Sequence, residues 1–168
     1  KYLHEHECEW YDRTCYFAAQ NGHLNCLRYA VENGCPLTGQ EMEAAAEGNN
    51  LYIIKYLHEI GRPWDSMVCC WAAHHDSLEM LTYAHEQGCE WDHYITETAA
   101  DTGSLQCLRY ALEHGCPHTA AVCSRAVAKN HLSCLMYAHS MGCEWNTRNC
   151  YEAAEMDSLQ CLIYLHEQ

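Results

Sequence analysis

Apolar residues along this chain fall on helical spacing, and the pattern returns every 27 residues. Leu24, Leu27, Ala30 and Val31 mark one stripe, and Cys26 and Tyr29 widen it, the 3.6-residue periodicity of an amphipathic helix. The same positions recur as Leu51, Leu78, Leu105, Leu132 and Leu159, and as Tyr2, Tyr56, Tyr83, Tyr110, Tyr137 and Tyr164. Ahead of each stripe lies a second helical run that carries a pair of small residues. These are Ala18-Ala19, Ala45-Ala46, Ala72-Ala73, Ala99-Ala100, Ala126-Val127 and Ala153-Ala154. Alanine there favours helix and lets another helix approach closely. A short turn such as Asn21-Gly22 or Thr102-Gly103 separates the two runs. Gly34, Gly61, Gly88, Gly115 and Gly142 close the second one, as a left-handed position after a helix prefers. No stretch alternates with a period of two, and two helices with two turns use all 27 residues, so no strand is expected.

Helix starts follow the same frame. Thr38, Asp65, Asp92, Thr119 and Asn146 precede the first helices and can accept from their free N–H groups. In the first repeat that position is Tyr11, and Asp12 beside it can take the role. Asn50, Ser77, Ser104 and Ser158 stand where the second helices would be capped. The repeats are 8–34, 35–61, 62–88, 89–115, 116–142 and 143–168, after a partial one at 1–7. Each is too small to bury its own apolar face, so its neighbours must cover it. The expectation is an all-α helix-pair solenoid of about six repeats without β-hairpins, forming one domain over 1–168. It begins and stops inside a repeat, which suits a piece of a longer array whose neighbouring repeats it would contact.

The string Ala18-Ala19-Gln20-Asn21-Gly22-His23-Leu24, with Leu27 and Asn33-Gly34, resembles the helical part of the ankyrin repeat. That likeness runs through all of the repeats. It departs in length, 27 residues against about 33, and the missing residues fall after Cys35-Pro36, where the family has its hairpin finger. Arg13-Thr14-Cys15-Tyr16 replaces the family's Thr-Pro-Leu-His turn. The pattern is similar to the short, hairpin-less repeats found in large DNA viruses and protists. The resemblance implies a protein-binding scaffold or adaptor without catalysis, whose first helices line a concave groove.

Charge narrows the partners. Acids outnumber Lys and Arg by 23 to 9, a net of −14, which argues against nucleic acid and against anionic membrane surfaces. A basic protein or peptide would be steered to such a surface. No run of about 18 apolar residues suggests a membrane span, and no leading segment reads as a secretory signal. The 14 cysteines recur at fixed frame positions, and Met42, Thr96, Ile53 and Met80 stand in where cysteine is absent. A buried hydrophobe can be exchanged in that way and a disulfide cannot. The thiols are therefore expected to be reduced filler in a cytoplasmic protein, with the nucleus possible.

Chemistry-bearing candidates are few. His4, Cys8, Cys15 and Cys26, and again His139, Cys143, Cys150 and Cys161, share one spacing and could supply four zinc ligands. Intervening repeats place Val31, Ile53 and Met80 at those positions, so packing is the favoured reading and no cofactor is expected. Cys70 and His74, one helical turn apart, resemble a nucleophile pair, but Cys70 holds a frame position that looks exposed by its content. Trp10, Trp64, Trp91 and Trp145 read as wedges in the links. His58, His85 and His139 read as half-buried helix-end packing. The first-helix positions left free to vary form the candidate partner surface: Tyr16, Phe17, Glu43, Glu47, Cys70, Trp71, His74, Glu97, Asp101, Arg125, Tyr151 and Glu152. Aromatics among acids there would suit a basic protein segment. A passive spacer in a larger assembly is the rival reading.

Overall fold

The computed structural model describes residues 10, 11 and 13–168; Asp12 and residues 1–9 lie outside the described residues. Twelve helices follow one another and no strand occurs among the described residues. First helices are α1 (Thr14–Gln20), α3 (Glu41–Glu47), α5 (Ser66–His74), α7 (His93–Thr102), α9 (Ala121–Ala128) and α11 (Thr147–Glu155). Second helices are α2 (Leu24–Glu32), α4 (Leu51–Glu59), α6 (Leu78–Glu86), α8 (Leu105–Glu113), α10 (Leu132–Ser140) and α12 (Leu159–Glu167). The chain divides inside α5 into two compact parts, Lys1–Val68 and Cys69–Gln168. In the first part α1 packs on α2 and α3, and α3 on α4; in the second, α7, α9 and α11 form a row backed by α8, α10 and α12.

Asp65, Asp92 and Asn146 stand directly before their first helices, as expected. The cap position is held instead by Gln40 in the second repeat and Ala120 in the fifth, neither of which makes a side-chain cap bond, and Thr38 and Thr119 act from the turn ahead of them. The side-chain oxygens of Thr38, Asp65, Asp92, Thr119 and Asn146 each accept from the N–H two residues on, at 2.9–3.4 Å. Two of these turns are reinforced from within the helix. Asn149 Oδ1 accepts from Asn146 N–H at 2.8 Å, and Glu41 accepts from Thr38 N–H, Thr38 Oγ1–H and Gly39 N–H at 2.8–3.0 Å. Those three donors explain how the Glu41 carboxylate can be buried.

Each first helix ends identically. The N–H of His23, Asn50, Ser77, Ser104, His131 and Ser158 returns to the carbonyl of the alanine five residues before, at 2.8 Å every time. The residue just before it takes positive φ in all six turns: Gly22, Asn49, Asp76, Gly103, Asn130 and Asp157. This is the bond pattern that closes a helix on a left-handed residue. Second helices end likewise, with Cys35, Arg62, Cys89, Cys116 and Cys143 donating back at 2.9–3.0 Å across the predicted glycines.

The residues expected to cap the second helices occupy the cap position, but none of Asn50, Ser77, Ser104 or Ser158 bonds its own helix through its side chain. Two of these side chains are engaged elsewhere: Ser104 Oγ lies 2.8 Å from Thr102 Oγ1, and Asn50 reaches the preceding repeat, whereas Ser158 Oγ is buried without a hydrogen-bond partner. Asn50 Nδ2 donates to the carbonyls of Ala19 and Gln20, at 3.1 and 2.8 Å, satisfying the free end of α1 in the preceding repeat. His131 Nε2 lies 3.2 Å from the carbonyl of Asp101 at the end of α7. Both long side chains use space that a glycine leaves open. A Cβ on Gly22 would sit 2.6 Å from Asn50 Oδ1, and one on Gly103 would sit 2.7 Å from His131 Nδ1. Where the turn residue is Asp76, the direction reverses: its Oδ1 accepts from Cys107 N–H in the first turn of α8 at 3.3 Å, and the next cap is the small, buried Ser104.

The core is the seam between successive repeats. Leu27, Ile53, Ile54 and Leu57 are buried in the first part, and Met80, Leu81, Leu108 and Leu135 in the second, each contributing about 1.5–3 kcal/mol. The alanine pairs are buried from Ala18-Ala19 through Ala126-Val127, so first helices meet at close range. Cysteine behaves as small filler at Cys15, Cys35, Cys69, Cys89, Cys107, Cys116, Cys123, Cys134, Cys143 and Cys161. Cys26 departs from that expectation and is exposed. Its frame equivalent Cys107 is buried and packs toward Ala72 O, 3.7 Å away on the preceding first helix.

Gly103→Asn should lower stability by about 1–3 kcal/mol, because its Cβ meets the His131 ring. Adding His131→Ser, which reproduces the Asn130/Ser158 combination, should recover more than half of the loss. Urea midpoints of the two single variants and the double would check this, and strictly additive losses would contradict it.

Candidate functional site

The variable positions of the first helices lie on one side of each compact part. In the second part, Thr98, Asp101 and Thr102 from α7 line a cavity of about 270 Å³ together with His74, Tyr94, Glu97 and Arg125. Tyr94 is 58% exposed at its rim. Glu97 is held by the Thr119 hydroxyl, which donates to Oε1 at 2.8 Å. Arg125 Nη1 stands 3.7 Å from Asp101 Oδ1, with both side chains substantially solvated, so that pair is weak and open to competition. Beside the cavity, Trp71 is half-buried, edge-on to His74 at 5.4 Å and stacked on His75 at 6.0 Å. On α11, Tyr151 is exposed, and Glu152 is engaged by Arg148 at 2.9 Å and Asn149 at 3.3 Å.

In the first part, Phe17 is 48% exposed and meets Tyr16 edge to face at 5.4 Å, with the Arg13 guanidinium 5.8 Å from the Tyr16 ring centre. Glu43 is exposed, and Glu47 accepts from Gln20 Nε2 at 3.1 Å. The two parts thus carry Tyr16, Phe17, Glu43 and Glu47 on one, and Trp71, His74, Glu97, Asp101, Arg125, Tyr151 and Glu152 on the other.

Cys70 has to be removed from the expected surface. It is only 8% exposed, because a short thiol stays in the seam between helices where the Glu43 and Tyr151 side chains at its frame position reach outward. The resemblance to a Cys70–His74 nucleophile pair therefore fails on placement: the thiol faces inward while His74 is exposed against Trp71. Conversely, the sequence reading passed over Tyr94. Its frame position holds Arg13, Gln40, Met67, Ala121 and Arg148 elsewhere, and that variation was the available signal.

Of the zinc-spaced sets, His4 and Cys8 lie outside the described residues. Toward the last repeat the His139 ring packs tilted against Trp145, centres 3.9 Å apart, and its Nδ1 meets the Tyr164 hydroxyl at 2.9 Å, while Cys143 turns toward His118. Among the described residues no three His, Cys, Asp or Glu side chains converge as metal ligands would. Burial pushes the thiols of Cys107, Cys116 and Cys123 up to about 12. Cys69 is raised as well, by its hydrogen bond with Cys89 and then by burial.

Trp64, Trp91 and Trp145 are wedges with a specific partner, the helix-end histidine. Ring centres are 4.2 Å apart for His58/Trp64 and 3.9 Å for His85/Trp91. The tyrosine of the following repeat completes the cluster, with Tyr110 OH 3.1 Å from His85 Nδ1. Where the helix-end residue is Leu112, the equivalent Tyr137 donates instead to Glu113 at 2.8 Å.

No protein-family model matches the chain, and no curated protein matches it. Its architecture is that of an ankyrin-repeat domain. The crystal structure of the human ASB11 ankyrin repeat domain superposes with a TM-score of 0.76 at 15% identity, over 91% of this chain and 82% of that one. Among the described residues, no helix is long and apolar enough to cross a membrane.

Burial, reinforced by the positive potential of His114 and opposed by Glu86, holds the His85 pKa below its ordinary value of 6.5. The unfolded chain then binds that proton more readily than the fold does. The contribution of His85 to stability is complete above pH 6.5 and fades as pH falls through the lower folded value. His85→Leu, which copies Leu112, should flatten the acid side of the stability profile below about pH 6.5 in thermal unfolding. A slope equal to that of the parent protein would contradict the assignment.

Proposed function

We propose that the chain is a protein-interaction module whose first-helix face receives a basic segment of a partner protein. The observation that carries this reading is the cavity on the second part, where Tyr94 and His74 stand beside Glu97 and Asp101, with Arg125 the one cation among its lining residues. Aromatic side chains supply large contact area at little entropic cost, and carboxylates on a chain of net charge −14 speed the encounter with a cationic partner. Phe17 and Glu43 on the first part have the same chemistry. Helical repeats of this design commonly bind through surface side chains held on a rigid stack, and nothing in this face calls for a reaction. Trp71 contributes mainly by fixing the rim, since its ring lies against His74 and His75.

The test is a comparative capture of binding proteins from cell extract. Replacing Trp71 or Phe17 by Ala together with Glu43→Lys and Glu97→Lys should remove the specific partners, at least tenfold by quantitative mass spectrometry. Glu79→Lys on the exposed side of α6 should leave them in place. Binding should also weaken steeply between low and physiological salt. An unchanged set of partners in both triple variants would make the chain a spacer instead.

A further inference from the structure

Three thiol pairs share one register: Cys15 with Cys35, Cys69 with Cys89, and Cys123 with Cys143, each 20 residues apart. In each, one cysteine sits on a first helix and the other opens the link to the next first helix. Cys15 hydrogen-bonds with Cys35, and Cys69 with Cys89. Cys123 Sγ points at Cys143, donating to its carbonyl at 3.6 Å. All six residues are buried.

The third pair differs in its surroundings. Twenty-five residues ahead of Cys35 and of Cys89 the sequence has Trp10 and Trp64, whose indoles cannot accept a proton. At the same offset ahead of Cys143 stands His118, and its Nδ1 is 3.4 Å from Cys143 Sγ. His118 is exposed, so a base in contact with solvent touches a thiol that is itself almost fully covered.

We propose that Cys123, Cys143 and His118 form a thiol-oxidation site at which a hydroperoxide joins the two cysteines in a disulfide. His118 Nδ1 takes the Cys143 proton. The thiolate attacks one peroxide oxygen, the O–O bond breaks, and Cys143 becomes a sulfenic acid. With hydrogen peroxide as oxidant, the released hydroxide recovers the proton from His118 and leaves as water. The Cys123 sulfur then attacks the Cys143 sulfur. The S–O bond breaks, the S–S bond forms, and the Cys123 proton departs with the second hydroxide as water. Two thiols are oxidised by two electrons and one peroxide is reduced. In the other two pairs burial raises the Cys15 thiol, and the hydrogen bond with Cys89 followed by burial raises the Cys69 thiol. Tryptophan holds the frame position of His118 there, and those pairs are expected to stay reduced far longer. The product ties α9 to the link before α11.

The purified, reduced protein would be treated with equimolar hydrogen peroxide, its remaining thiols alkylated, and its peptides mapped without reduction. The Cys123–Cys143 link should form at least about tenfold faster than the other two. His118→Leu, which borrows the residue at position 37, should abolish that lead while leaving the helical circular dichroism unchanged. Cys123→Ser should leave a sulfenic acid on Cys143 that a cyclic 1,3-dione traps. Equal rates at the three pairs, a lead that survives His118→Leu, or adducts confined to Cys26 and Cys150 would each overturn the proposal.

Discussion

Between the two helices of every repeat the backbone must reverse within about two residues, and it does so by placing one residue in the left-handed region. The N–H that follows closes onto an alanine carbonyl at a distance that does not vary across six turns. That bond fixes the angle between the helices, and the alanines at its other end let the next first helix come near. Once the angle is set, each repeat within a compact part offers the same apolar seam to its successor there, and the leucine and isoleucine layers of the core follow. The remaining carbonyls at the end of a first helix are then met from the following repeat, by Asn50 in one case and beside His131 in another.

How much of this could be read from the chain depends on whether the cause was local. Three first-helix starts, after Asp65, Asp92 and Asn146, were legible because a short oxygen-bearing side chain bonds a backbone group two residues away; Thr38 and Thr119 make the same local bond, but their helices begin after Gln40 and Ala120. The second-helix caps had the right residue types at the right place, yet none bonds its own helix: Asn50 answers to the neighbouring repeat and Ser104 to Thr102, which composition at a single position does not reveal. The alternation of His with Leu or Val, and of Trp with Leu, was visible as two separate substitutions. It is one ring-on-ring contact, and only the fold joins residues six apart across a link.

The surface follows the same division. Frame variation located Phe17, Trp71, Glu97 and Asp101 on accessible helix sides. It could not say that Cys70, at an otherwise outward position, would withdraw into the seam, since that depends on side-chain length against a particular neighbour. It also could not assign Tyr94 to the rim of a cavity built with His74 and Arg125, residues that come from three different helices. For the cysteines, substitution by Met and Ile identified filler, while the approach of His118 to Cys143 is a contact 25 residues apart that no frame position announces.

The pairing of Gly22 with Asn50, and of Gly103 with His131, bears on how such an array can grow. A duplicated copy of residues 116–142 placed after itself would set His131 against Asn130, where a Cβ already fills the space. A copy of residues 89–115 would set Ser104 beside Gly103, leaving a gap and no clash. Duplication is therefore permitted for some repeats and penalised for others. A lineage of these arrays must change the turn residue no later than the bulky residue that leans over it.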